Sequence, residues 1–84
     1  MFYTYIIYSE STDKYYIGHT HDLERRIERH NAGWSRSTKA GAPWKLVYWE
    51  DCNTKSEALK REYEIKRMKN RKYIEELLTE GRPD

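Results

Sequence analysis

The chain has 84 residues, a formal net charge of +2 and 36% charged side chains, so it holds one small domain. It excludes a membrane helix, because no run approaches the roughly 20 apolar residues that a span requires. With a single cysteine, Cys52, it also excludes an intramolecular disulfide and points to a reducing, cytoplasmic setting.

The opening MFYTYIIY lacks the basic lead of a signal peptide and is rich in β-formers, which predicts a strand over residues 2–8. SESTD reads as a turn and KYYIG (14–18) as a second strand, making a hairpin. Pairing Tyr8 with Asp13 across a four-residue loop would set Tyr5 opposite Tyr16. Thr20 is expected to cap a helix to about Ala32, with Asp22 and Glu24 in its first turn, where acids suit the helix dipole. Leu23, Ile27 and Trp34 would form its buried stripe, and Asn31-Ala32-Gly33 would stop it. Residues 34–43 are a small, polar, basic loop with Gly41 and Pro43 as breakers. WKLVYWE (44–50) is the third strand. Thr54 and Glu57 form a T-x-x-E capping box that opens a long helix to about Met68. A shorter helix over 71–79 follows, and 81–84 are expected to fray. The result is one domain over 1–80, of order β-β-α-β-α-α. Its class is α+β, a small three-stranded antiparallel sheet flanked by helices.

The residue that stands out is Glu62. In the second long helix Ala58, Leu59, Tyr63 and Ile65 recur at helical spacing, and Glu62 falls within that apolar stripe. Glu57, Lys60, Arg61 and Glu64 take the solvated face. A buried, unpaired carboxylate is costly, so Glu62 calls for a metal, an arginine or protonation. On the helix alone, pairing with a lysine accounts for it as well. A second cluster lies on the first helix, where Arg26 and His30 are four apart and share a face. Arginine offers a rigid fork for phosphate and histidine exchanges protons near neutrality, although an ion pair and aromatic packing would explain them equally. Tyr5 and Tyr16 lean over the same spot in the predicted hairpin. A phenol acts as a base only where a cation lowers its pKa from about 10, and with eight tyrosines most must be packing residues.

Taken in order, YTY (3–5), YYIG (15–18), LERRIERHN (23–31) and ALKRE (58–62) resemble the GIY-YIG nuclease domain, and most closely its small standalone bacterial members. Tyr16, Ile17 and Gly18 keep the YIG half, while Tyr3 and Thr4 replace the glycine and isoleucine of the other half and Tyr5 keeps its tyrosine. The resemblance implies that Tyr5, Tyr16, Arg26, His30 and Glu62 are catalytic in cleaving DNA phosphodiesters with one divalent cation, Mg²⁺ or Mn²⁺. Glu62 would hold the metal, a hard ion that prefers oxygen ligands. Arg26 would neutralise charge on the scissile phosphate, Tyr5 would help deprotonate the attacking water, and Tyr16 and His30 would orient the reactants.

For the DNA backbone, Arg36, Lys39, Lys66, Arg67 and Lys69 are the candidate contacts, sequence-independent and salt-sensitive. Between Thr54 and Tyr73 eight basic residues face three acids, as a polyanion-binding or merely solvated helix would. Of the tryptophans, Trp34, Trp44 and Trp49 could stack on bases, with Trp44 and Trp49 better suited to the core. His19 and His21 form H-x-H without a third ligand at useful spacing, and Cys52 is expected to be inert. The leading expectation is a metal-dependent DNA endonuclease of low sequence specificity, on branched, damaged or single-stranded DNA. It would be a monomer or weak homo-oligomer, with any further specificity from a protein partner. The alternatives are a nucleic-acid-binding module that cleaves poorly and an adaptor that binds protein through its aromatic sheet.

Overall fold

The computed structural model describes residues 1–68 and 70–81, the last two by their backbone alone. Its strands are β1 (Phe2–Ser9), β2 (Lys14–Thr20) and β3 (Trp44–Cys52), in antiparallel order β2-β1-β3. Its helices are α1 (Leu23–Asn31), α2 (Lys55–Met68) and α3 (Arg71–Gly81). The expected fold class and element order are therefore present. No helix among the described residues is long and apolar enough to cross a membrane.

β1 is apolar on both sides because it is the central strand and both of its faces are covered. Tyr5 and Ile7 point to one face and pack with Trp44, Leu46, Trp49, Leu23 and Ile27 under α1. Ile6 points to the other and packs with Tyr48, Ile65 and Ile74 under α2 and α3. An irregularity between Ile6 and Ile7 in the pairing with β3 lets Tyr48 and Leu46 serve opposite faces.

The hairpin register differs from the sequence expectation. Ser9 pairs with Lys14, so Tyr5 lies opposite Gly18 and Tyr16 opposite Ile7. The loop still has four residues but starts one later. Ser9 Oγ accepts from the Thr12 amide (3.2 Å) and hydroxyl (2.9 Å), and Asp13 takes a left-handed φ of 55°. The slip is two residues, so Tyr5 and Tyr16 still share a face.

Four further expectations are corrected. Asp22, not Thr20, caps α1, its carboxylate accepting from the Arg25 amide at 3.1 Å, while Thr20 Oγ1 accepts from Asp22 N. Trp34 is 72% exposed and no part of a buried stripe, because it follows Gly33 (φ 82°) out of the helix. On α2, Ala58 and Ile65 are buried but Leu59 (44%) and Tyr63 (73%) are exposed, each one position round the helix from the packed line. Arg61, assigned to the solvated face, instead forks onto Glu50, with Nε 2.9 Å from Oε1 and Nη2 3.0 Å from Oε2.

The other ends follow local chemistry. Thr54 Oγ1 accepts from the Glu57 amide (3.1 Å), and the Glu57 carboxylate reaches back to Asn53 N (3.0 Å), one residue before the reciprocal partner of a capping box. β3 continues to Cys52 and α3 to Gly81, each two residues beyond the expected end. The expected frayed tail falls, from residue 82 onward, outside the described residues, as does Lys69.

Candidate functional site

The α1 face of the sheet carries a continuous polar chain. Arg26 sits one helical turn before His30 on α1, with Ile27 packed on the sheet beside it, so both polar side chains reach Tyr5 on the central strand. Arg26 Nε donates to Tyr5 Oη (3.3 Å), and Tyr5 Oη lies 2.9 Å from His30 Nε2. His30 Nδ1 lies 2.7 Å from Thr38 Oγ1, whose hydroxyl points at the Ser35 carbonyl (3.5 Å). If Thr38 donates to Ser35, His30 Nδ1 carries the ring proton and Nε2 accepts from the Tyr5 hydroxyl. The chain is then polarised from Arg26 through Tyr5 and His30 to Thr38.

Burial sets the protonation of this chain. Tyr5, His30 and Thr38 are almost wholly shielded from solvent. Loss of solvent pushes the Tyr5 phenol up to about 12, outweighing the hydrogen bond and charge of Arg26, which lower it. Loss of solvent, helped by the positive charge of Arg26, pulls His30 down to about 4, so its ring is neutral at neutral pH. Arg26 by itself therefore does not bring the Tyr5 phenol below its ordinary range. The Arg26 pKa is raised, first by its bond to Tyr5, which outweighs the loss of solvent that lowers it.

Tyr16 packs its ring 5.1 Å from the His30 ring at 63°, edge to face. Gly18 makes room for the phenol, because a Cβ there would stand 2.6 Å from Tyr5 Oη and 2.8 Å from Cζ. Any side chain at Gly18 would displace Tyr5.

Glu62 approaches from α2, with its side chain 12% exposed. Its carboxylate is not unpaired. Oε1 accepts from His19 Nδ1 on β2, and Oε2 accepts from Lys66 Nζ, both at 2.6 Å. Neither a metal nor an arginine is needed to explain its burial, and the lysine pairing open at the sequence level is present. Lys66 Nζ also stands 5.9 Å over the Tyr16 ring, which joins Glu62 to the tyrosines. Among the described residues no three His, Cys, Asp or Glu side chains form a metal cluster. A carboxylate oriented by His19 is the donor type a hard divalent ion would take, with Lys66 on its other oxygen as the competing partner.

A cleft of about 360 Å³ opens beside these groups, bordered by Arg25, Arg26, Arg29, Lys55, His19 and His21, with Asp22 already engaged as a helix cap. Of the predicted DNA contacts, Lys66 lies at the site, and Arg36 and Lys39 are exposed on the 34–43 loop. Arg67 sits on the far side of α2, beside Lys60, Tyr63 and Glu64. Sequence reasoning missed Thr38, the second anchor of His30, and the role of His19 as the partner of Glu62. It also missed the arginine row of α1. That row was readable in LERRIERHN, since Arg25 and Arg29 are four apart. Trp44 holds the loop in place by donating from Nε1 to the Thr38 carbonyl (2.7 Å). Cys52, at the end of β3, lies with its thiol 3.9 Å from the Thr4 hydroxyl.

Four resemblances to known proteins bear on this arrangement. The family described as GIY-YIG catalytic domain matches residues 1–74. A UPF0213 protein of Staphylococcus saprophyticus is 49% identical over 67 residues, covering 79% of this chain and 80% of that one. A UPF0213 protein of Staphylococcus aureus is 54% identical over 52 residues, covering 61% and 63% respectively. The solution NMR structure of a UPF0213 protein from Bacillus halodurans superposes with a TM-score of 0.58 at 33% identity, covering 99% of this chain and 89% of its own.

Proposed function

The chain belongs to the GIY-YIG family, and from that premise we propose that it is a divalent-metal-dependent DNA endonuclease hydrolysing phosphodiester bonds at the Tyr5, Tyr16, Arg26, His30 and Glu62 site. The observation that carries this reading is the continuous chain Arg26–Tyr5–His30–Thr38 beside a basic cleft, with Glu62 joined to Tyr16 through Lys66.

Glu62 is the residue that would hold Mg²⁺ or Mn²⁺, with His19 orienting its carboxylate through Oε1. When bound, the cation supplies Lewis-acid stabilisation of charge on the scissile phosphate and the departing oxygen. The remaining steps belong to the protein. Arg26 uses Nε on Tyr5 and turns the rest of its fork toward the cleft, where it meets the non-bridging oxygens. At a pKa of about 12 Tyr5 is no free phenolate, so it serves as a base only by passing its proton on. Its contact partner for that proton is His30 Nε2. With its ring held down to about 4, His30 is a poor acceptor for that proton, so the phenol and imidazole act as a neutral pair that positions the reactants, and Thr38 fixes the ring through Nδ1. Tyr16 packs against the His30 ring and keeps the imidazole in line.

The test is nicking of plasmid and branched DNA with Mg²⁺ or Mn²⁺ against a chelator control. Glu62→Gln keeps one acceptor, enough for His19 or Lys66 but not both, and removes the anionic ligand. It should reduce cleavage to the chelator background while DNA binding is largely retained, and unchanged cleavage would remove Glu62 from the site. One observation favours a second reading, a nucleic-acid-binding module that cleaves poorly. Both Glu62 oxygens are already engaged, and Lys66 supplies a positive charge beside the carboxylate. Metal-independent DNA binding without nicking by the parent protein would establish that reading instead.

A further inference from the structure

Trp34 is the one tryptophan that the fold leaves in the open. It is 72% exposed, whereas Trp44 is buried and Trp49 half-buried in the sheet. Its position is built, not incidental. The Trp34 amide donates to the Arg29 carbonyl (3.0 Å) and the Gly33 amide to the His30 carbonyl (3.2 Å), with Gly33 left-handed between them. This termination of α1 commonly brings an apolar side chain after the glycine against one in the last turn. Here the pair is Trp34 and Arg29, with the guanidinium carbon 5.1 Å from the indole centroid. An aliphatic residue would satisfy the cap, so the cap alone does not explain a large ring held mostly in solvent.

Its surroundings say what the ring faces. Arg25, Arg29, Trp34, Ala32 and Glu28 line a groove of about 270 Å³, and Arg25 and Arg29 also border the basic cleft that contains Arg26 and His19. The two depressions thus adjoin and share a pair of arginines. The Lys39 stem packs near Gly33 on the other side of the turn. A protein partner would want neighbouring apolar area, yet Trp34 is followed by Ser35, Arg36 and Ser37. Cations in a row ending in an exposed aromatic fit a phosphate backbone ending in a base. A base inside a duplex offers no free face to stack on.

Resting on the nuclease reading above, we infer that Trp34, backed by Arg29, is a stacking subsite for an unpaired nucleobase, and that it gives the protein a preference for single-stranded DNA. The test is fluorescence anisotropy in chelator, where no cleavage occurs. The probes are a labelled oligo(dT) of roughly 12 nucleotides, a duplex of equal length, and an abasic strand of equal length. Trp34→Ala should weaken oligo(dT) binding by about 5- to 150-fold and leave the duplex and the abasic strand nearly unaffected. Trp34→Phe should restore most of the loss.

Equal loss on all three probes, no loss on oligo(dT), or no parental binding to oligo(dT) would overturn the proposal. Dependence on Trp34 seen with oligo(U) and not oligo(dT) would overturn the assignment to DNA. The two readings fail separately. Trp34-dependent binding without nicking removes the nuclease and keeps the subsite, and nicking without Trp34 dependence does the reverse.

Discussion

Under α2 and α3 the sheet presents Ile6 to Tyr48, Ile65 and Ile74, whereas under α1 the same strand presents Tyr5 to an arginine, a histidine and, through it, a threonine. The two interiors are built from adjacent residues of β1, pointing opposite ways. On the apolar side any well-packed set of similar volume would serve, because burial and close packing carry the energy. On the α1 side each polar atom needs a specific partner at hydrogen-bond distance. Among the described residues no buried side-chain nitrogen or oxygen lacks one. Such a network resists substitution, because one broken link leaves a buried group unpaired. Both faces contribute packing, and the α1 face uses its own to hold neutral His30 against protonated Tyr5.

The contrast predicts different costs for similar truncations. Ile65→Ala, on the apolar side, should lose about 2–5 kcal/mol of unfolding free energy in urea titrations, with the His30 ring environment unchanged by NMR. A value under about 1 kcal/mol would mean that the α2 face is not a packed core.

Acid should act through the opposite face. The folded pKa of His30 is about 4 against an ordinary 6.5, so the unfolded chain binds the proton first. Its contribution is complete above about pH 6.5 and is lost as pH falls toward 4, on the order of 3 kcal/mol. The check is an NMR titration in which the His30 ring is still neutral at pH values where a free histidine is charged. A midpoint near 6.5 would show that the ring is not held in the buried chain.

Tyr5→Phe should cost least, about 1–3 kcal/mol, because the ring stays packed while His30 Nε2 loses its donor and Arg26 its acceptor. Urea unfolding measures it. A neutral outcome would mean that water replaces the phenol in the chain.

Much of the architecture was legible residue by residue. The hairpin, the glycine stop after α1, the Thr54 start of α2 and the order of elements follow from alternation, periodicity and caps, which are properties of a few neighbouring residues. The candidate site was legible as residue types in order, YIG followed by R-x-x-x-H and a helical Glu. Its wiring was not. His19 was readable only as half of an H-x-H pair, because its partner Glu62 lies 43 positions away. Thr38 was one loop hydroxyl among several. Leu59 and Tyr63 match the helical period as well as Ala58 and Ile65 do, and only the position of the sheet shows which of them it covers.

The amino-acid order by itself determined the elements, the α+β class and the membership of the family, because each rests on short-range pattern or on a motif spread along the chain. The tertiary structure alone decided the two-residue slip of the hairpin, the pairing of Glu62 with His19 and Lys66, the exposure of Trp34 and the high pKa of Tyr5. Each of these depends on distance and burial between segments far apart in the chain, and local preference carries no information about either.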